Sequence, residues 1–155
     1  MAPEFCPECR AVVSGGRSGC QALFDRLTFQ ATEAGRIAAI HSLAFDTYCM
    51  QHVETYCVSA KSYVAHLTRL CAGVEYGGSQ AIYDALQRWF GPGLMKPDVL
   101  AARGHITIVD VQRASTVDSK VAQVREWAQH VWDAYASQHE MTHRWVHTAL
   151  NQKKH

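Results

Sequence analysis

Apolar side chains recur every three or four residues along most of this chain, the spacing of amphipathic helices. The pattern predicts helices over residues 20–34, 36–55, 59–78, 79–90 and 119–150. Residues 1–19 are rich in proline and glycine and predict a loop module in front of a helical bundle over residues 20–150. We therefore predict an all-α fold, a four-helix bundle with an N-terminal zinc-knuckle-like loop, forming a single domain over residues 1–155.

Several helix ends carry polar residues that can cap them. Ser59 and Ser79 each stand where a helix begins and can accept a hydrogen bond from its first turn. Residues 91–106 contain two prolines and are predicted to form a long loop. After that loop, Thr107 and Asp110 resemble a capping box that opens a short helix. The β-branched residues around Val109 would also suit a short strand, but a lone strand has no evident partner here.

Composition excludes several classes of protein. The length of 155 residues and the 48% apolar content suit one globular domain. A net charge of +1 gives no electrostatic footprint for nucleic acid or an anionic membrane, and no apolar run is long enough to cross a bilayer. The first residues lack the pattern of a signal peptide, so we expect a cytoplasmic protein. The oligomeric state is left open. The unusual counts are nine His and six Cys.

The N-terminal cysteines form the strongest local motif. Cys6 and Cys9 have the Cys-x2-Cys spacing that begins many tetrahedral zinc sites, and Cys20 follows at the start of the first predicted helix, where the helix dipole favours a thiolate. A fourth ligand would have to come from the bundle, with candidates His147, His52 and Cys57. Alternatively, Cys6 and Cys9 are a redox pair, or all three are free thiols. The other cysteines lie in predicted helices and are expected to be small buried apolar residues: Cys49, Cys57 and Cys71.

A second candidate site comes from histidines that point toward the centre of the bundle. His41 and His52 share the inner face of the second predicted helix, but three turns (about 16 Å) separate them, so they cannot share one ion. In an antiparallel hairpin, His66 comes level with residues 46–48. His139 and His143 lie one turn apart on or beside the inner stripe of the last helix. We predict that His41 or His66, with His139 and perhaps His143, holds Zn²⁺ or another divalent transition metal, leaving one position open for water or substrate.

The alternative is that each inward histidine is hydrogen-bonded to its own neighbour. Asp46 and Glu33 lie off the inner stripes, so no paired-carboxylate site is predicted, and no phosphate-binding loop or serine nucleophile motif is present. The leading hypothesis is a small metal-dependent enzyme, a hydrolase or a group or thiol transferase, acting on a small-molecule substrate. The competing hypothesis is a non-catalytic zinc-stabilised helical module that binds a protein or a small molecule.

Four sequence features resemble an uncharacterised bacterial domain family. They are the Cys-Pro-x-Cys start at Cys6, the Tyr-x-x-Gln-His segment from Tyr48 to His52, the serine-rich stretch from Ser59 that leads to His66, and His139 near the end. The family implies no activity. One departure is the residue after His52, which is Val53 where the family has proline. A looser similarity to DinB-like metal-binding four-helix bundles implies a His41, His139 and His143 ligand set.

Overall fold

The fold is helical throughout, apart from an N-terminal hairpin and the connecting loops. The computed structural model describes residues 2–152. Its helices, in chain order, are α1 (Gly16–Glu33), α2 (Gly35–Gln51), α3 (Val53–Tyr56), α4 (Ala60–Glu75), α5 (Gln80–Trp89), α6 (Ile108–Arg113), α7 (Val117–Ala134) and α8 (His139–Asn151), with a 3-10 turn at Ala136–Gln138. The prediction of an all-α fold is confirmed, but residues 2–152 hold eight α-helices where a four-helix bundle was predicted.

The predicted loop module is more ordered than its composition indicates. Phe5 and Val12 form an antiparallel bridge, so residues 5–12 make a short hairpin. Helix α1 begins at Gly16, four residues earlier than predicted. Cys20 therefore lies in the second turn of α1, and the prediction that it gains from a position at the helix start is wrong.

Two long predicted helices are each divided in the structure. The second ends at Gln51, and His52 links it to the short helix α3. The last ends at Ala134, passes through the 3-10 turn and resumes at His139. Neither break contains glycine or proline, so no sequence signal marks either one. Both breaks redirect histidines that a continuous helix would have placed differently.

The predicted caps are confirmed. Ser59 accepts a hydrogen bond from the Ser62 backbone N–H in a reciprocal capping box, and Ser79 caps α5. Thr107 and Asp110 form the capping box that opens α6, so this segment is a helix and the strand alternative is wrong. Each cap satisfies backbone donors that a helix start leaves without partners.

Helix α2 is the centre of the core and packs against α1, α4 and α7. Its C-terminal turn also anchors the loop that precedes α6. The buried Gln51 side chain donates to the carbonyls of Arg103 and Ile106 and accepts from the Trp127 indole at 2.9 Å. Arg103 is buried too, and it donates to the Gln51 carbonyl and pairs with Glu54. Three hydrogen bonds to Gln51 and the ion pair with Glu54 thus fix this loop against the end of α2 and against α3. No helix among residues 2–152 is both long and apolar enough to cross a membrane.

Candidate metal centre

The N-terminal hairpin turns tightly enough to place Cys6 and Cys9 on one side. The Cys6 backbone N–H donates to the Ala11 carbonyl, and the Arg10 N–H donates to the Cys6 carbonyl, both at 2.9 Å. Arg10 has a φ of 68°, in the left-handed region that favours glycine. This turn directs both thiols toward the bundle, where Cys6 is fully buried and Cys9 is 5% exposed.

Two helices complete a cluster of four donor atoms. Cys20 reaches it from the second turn of α1 and His52 from the end of α2. The His52 Nε2 lies 3.4 Å from the Cys20 Sγ and 3.6 Å from the Cys6 Sγ, and the Cys9 and Cys20 sulfurs are 3.7 Å apart. The four donor atoms all lie within 4.8 Å of one another. Three sulfurs and one imidazole nitrogen therefore surround one point.

His52 is held in the orientation and tautomer that a metal ligand needs. Its Nδ1 lies 2.6 Å from the Tyr48 carbonyl oxygen. A carbonyl can only accept, so Nδ1 carries the hydrogen and Nε2 has a free lone pair directed at the sulfurs. A ligating histidine usually donates its other ring N–H to such an acceptor. The Tyr48 ring also stacks on the His52 ring at 3.9 Å, and its hydroxyl donates to the Cys20 sulfur at 3.6 Å.

Without a metal ion, the thiols of Cys6 and Cys9 resist ionisation. The contact with the Cys20 thiol and burial raise the pKa of Cys9 to about 12. Burial raises the pKa of Cys6 as well. At neutral pH these thiols therefore keep their protons unless a cation replaces them, and metal binding at this cluster must release protons.

The hairpin has a second attachment beside the cluster. Glu8 lies between the two cysteines and is 8% exposed. Its carboxylate accepts from the backbone N–H and the hydroxyl of Thr55 in α3, at 3.1 and 2.9 Å, and pairs with Arg17. Val53 occupies the first position of α3, where proline is also well tolerated, so the departure from the family pattern leaves this turn intact.

The donors fit a structural zinc ion. Three Cys and one His are a common ligand set of closed tetrahedral zinc sites. The four residues are at most 5% exposed, so no coordination position faces solvent. The cluster is compatible with a metal such as zinc, which would connect the hairpin, α1 and α2. Of the three candidate fourth ligands, His52 is the one in the cluster. Cys57 instead donates to the Cys49 carbonyl, and His147 is exposed on α8.

The structure does not bring the other predicted metal histidines together. His41 pairs with the Thr28 hydroxyl at 2.9 Å, His66 with Asp46 at 2.9 Å, and the His139 Nε2 with the Trp132 carbonyl at 2.7 Å. His143 pairs with Glu75 at 2.6 Å. The predicted convergence of His41 or His66 with His139 is therefore wrong, and so is the DinB-like ligand set. The physical reason is that each ring forms a hydrogen bond with a neighbour of its own in the fold.

The contact between His66 and Asp46 confirms the predicted register of the antiparallel hairpin formed by α2 and α4. Asp46 itself was expected to lie off the inner stripes, yet it is fully buried. His66 and Arg69 both pair with it, so its charge is compensated inside the fold.

Sequence reasoning missed a second group of possible ligands. Cys71, Glu75 and His143 place one donor atom each within 4.8 Å of the others. Among residues 2–152, the Cys3His cluster and this group are the two places where three or more His, Cys, Asp or Glu side chains come close enough to share a metal ion. The spacing of Cys71 and Glu75, four residues apart on one helix, was an available signal. No signal in the sequence indicated the contact between Glu75 and His143 of α8, because that contact depends on the break at Tyr135.

Comparison with models of known protein families identifies the family of this chain. A family model described as a family of unknown function, DUF5946, matches residues 4–136. The chain therefore belongs to this family, and the predicted resemblance to an uncharacterised domain family is confirmed. Neither the curated proteins nor the solved structures give a match. The matched range includes all four residues of the buried cluster but excludes His139 and His143.

Proposed function

We propose that this member of DUF5946 is a non-catalytic, zinc-stabilised helical module that binds a ligand or partner beside its N-terminal hairpin. The observation that carries the proposal is the complete burial of a Cys3His donor set whose histidine is already in the ligating tautomer. A catalytic zinc needs a coordination position that water or substrate can reach. A closed site instead contributes its binding free energy to folding.

A cleft beside the hairpin is the surface that such a zinc ion would shape. Its cavity volume is about 570 Å³. Residues 8–12 of the hairpin form one wall, and residues 101–105 with the start of α6 form the other. Cys9 contributes to the first wall, and the second is the loop that Gln51 and Arg103 anchor. Small-molecule sites commonly occupy concave surfaces of this size. Zinc would keep the walls at a fixed separation.

The polar side chains along this cleft favour ligand binding over catalysis. Arg103 is committed to Glu54 and to backbone carbonyls, and the Asp110 carboxylate caps α6. Arg10 is exposed at the rim and free to contact a ligand. His105 lines the cleft as well, and its Nδ1 lies 3.2 Å from the Nε2 of His130 behind it.

The proposal is tested with His52→Ala and the matched control His147→Ala, which removes an exposed imidazole. Purified wild-type protein should hold zinc at the cluster, and His52→Ala should lose one ion per chain while His147→Ala loses none. Hydrogen exchange over residues 4–13 should accelerate at least tenfold in His52→Ala only. Unchanged metal content and unchanged exchange in His52→Ala would contradict a structural zinc site.

The binding part is tested by a fragment screen followed in NMR spectra of the zinc-loaded protein. Shifts should concentrate at the backbone amides of Arg10, Ala102 and Val109, and His52→Ala should weaken them. Fragments that bind elsewhere, or that bind His52→Ala equally well, would contradict a zinc-shaped cleft.

A further inference from the structure

We propose a second, solvent-open zinc site formed by Cys71 and Glu75 of α4 and His143 of α8. It lies apart from the buried cluster and is independent of the function proposed above. The inference rests on a convergence of three different ligand types from two helices, with one side of the group at the surface. Zn²⁺ would gain a thiolate, a carboxylate and an imidazole from the chain and keep one position for water or an external ligand.

The three donor atoms are already close enough to share an ion. Glu75 Oε2 lies 2.6 Å from the His143 Nε2 and 3.8 Å from the Cys71 Sγ. All three donors lie within 4.8 Å of one another. A metal would replace the hydrogens that Cys71 and His143 now direct at the carboxylate. Its binding therefore releases the Cys71 thiol proton and leaves the ligating nitrogen of His143 without hydrogen.

Neighbouring side chains hold the carboxylate and the imidazole in place. The buried Trp132 indole donates to Glu75 Oε1 at 2.9 Å, so Oε2 is the oxygen turned toward the other two donors. His139 stacks on the Trp132 ring at 3.8 Å, and its centroid is 6.0 Å from that of His143. Outer contacts of this kind orient metal ligands and raise affinity.

Burial distinguishes this group from the Cys3His cluster. Cys71 is fully buried, whereas the side chains of His143 and Glu75 are 38% and 34% exposed. The group has three protein donors and an open side, which is the arrangement of zinc sites that bind an exogenous ligand. His143 lies outside residues 4–136, the range that the family model matches, whereas Cys71 and Glu75 lie inside it.

Zinc stoichiometry by equilibrium dialysis tests the proposal, with the full chain and four single variants. Wild type should bind two ions, and His143→Ala one. The matched control His147→Ala, which removes an exposed histidine one turn further along α8, should bind two. His52→Ala should bind one. Circular dichroism confirms that each variant is folded, and Glu75→Gln gives a second test because its amide oxygen still accepts from Trp132.

Each outcome separates the two sites. Equal zinc content and equal affinity in wild type and His143→Ala would overturn the second site while leaving the first intact. One ion in wild type that is lost in His143→Ala but kept in His52→Ala would support the second site and contradict the first.

A spectroscopic readout tests the thiolate directly. Wild type first loaded with one equivalent of Zn²⁺ and then titrated with Co²⁺ should show thiolate-to-cobalt absorption. Cys71→Ser should abolish that absorption, and His143→Ala should weaken Co²⁺ binding by roughly tenfold or more. Absorption that is unchanged in Cys71→Ser would overturn the assignment.

Discussion

The Tyr48 carbonyl oxygen and the Nδ1 of His52 lie 2.6 Å apart, and the rings of the same two residues stack at 3.9 Å. The last turn of α2 therefore orients the imidazole before any metal binds. The segment from Tyr48 to His52 is accordingly one structural unit: the tyrosine orients the ligand, Gln51 anchors the neighbouring loop, and the histidine completes the cluster.

Two substitutions at Tyr48 should separate its roles. Tyr48→Phe keeps the carbonyl and the stacking and loses only the hydroxyl contact with Cys20, so we expect a loss of about 1 kcal/mol in unfolding free energy and unchanged zinc content. Tyr48→Ala also removes a fully packed ring and should cost about 3–5 kcal/mol. Chemical denaturation with metal analysis measures both effects. Loss of zinc in Tyr48→Phe would show that the hydroxyl contact, not the carbonyl and the stacking, governs the site.

Removal of zinc by a chelator should release the hairpin more than the bundle. None of the four ligands belongs to α4 or α7, so most of the helical circular dichroism should persist. Residues 4–13 depend on the metal and on Glu8 and should lose protection from hydrogen exchange. The unfolding free energy should fall by several kcal/mol and recover when Zn²⁺ is restored. A midpoint of thermal unfolding that is insensitive to chelation and to added zinc would speak against this dependence.

Gln51→Leu should destabilise the protein by about 3 kcal/mol or more, since it leaves the Trp127 indole N–H and the Arg103 and Ile106 carbonyls without their partner. The control is Gln129→Leu, which removes an exposed glutamine that bonds Asp133 one turn away in α7 and should change stability by about 0.5 kcal/mol or less. Urea denaturation of both variants gives the comparison. An equal loss of unfolding free energy in the two variants would mean that the anchoring of the loop by Gln51 contributes little to stability.

His41 should make stability depend on pH just below neutrality. Burial lowers the pKa of His41 from its ordinary value of 6.5. Below about pH 6.5 the unfolded chain takes up a proton that the folded chain refuses until lower pH, so this residue costs stability as the pH falls through that window and has no such effect above it. His41→Gln lacks this cost. Its unfolding free energy relative to wild type should therefore rise from about pH 7.5 to about pH 5.5. A difference in unfolding free energy between His41→Gln and wild type that does not change with pH would contradict the lowered pKa of His41.

Local signals were enough to predict much of the fold. The caps at Ser59 and Ser79 and the capping box at Thr107 were correct because the residues that satisfy these helix starts lie within three positions along the chain. The breaks after Gln51 and Ala134 were not predicted because no glycine or proline marks them. They follow from tertiary contacts, such as the Tyr135 hydroxyl that bonds the Met50 carbonyl at the second break.

Part of the candidate site could also be predicted, because its signal is local in the sequence. The spacing of Cys6 and Cys9 is local and indicates zinc directly. The choice of His52 over His147 and Cys57 depended on where α2 ends, which the periodicity placed four residues too late. The predicted convergence of His41, His66 and His139 failed because hydropathy shows which face a ring occupies but not whether a nearby group satisfies it. Thr28, Asp46 and the Trp132 carbonyl do so here.

The most direct test of the central claim is an anomalous difference map from a crystal of the zinc-loaded protein, recorded at the zinc absorption edge. The account predicts a peak enclosed by the sulfurs of Cys6, Cys9 and Cys20 and the Nε2 of His52, at about 2.3 Å from each sulfur and about 2.0 Å from the nitrogen. A map with no peak among these four atoms, or a disulfide joining two of the cysteines, would contradict it.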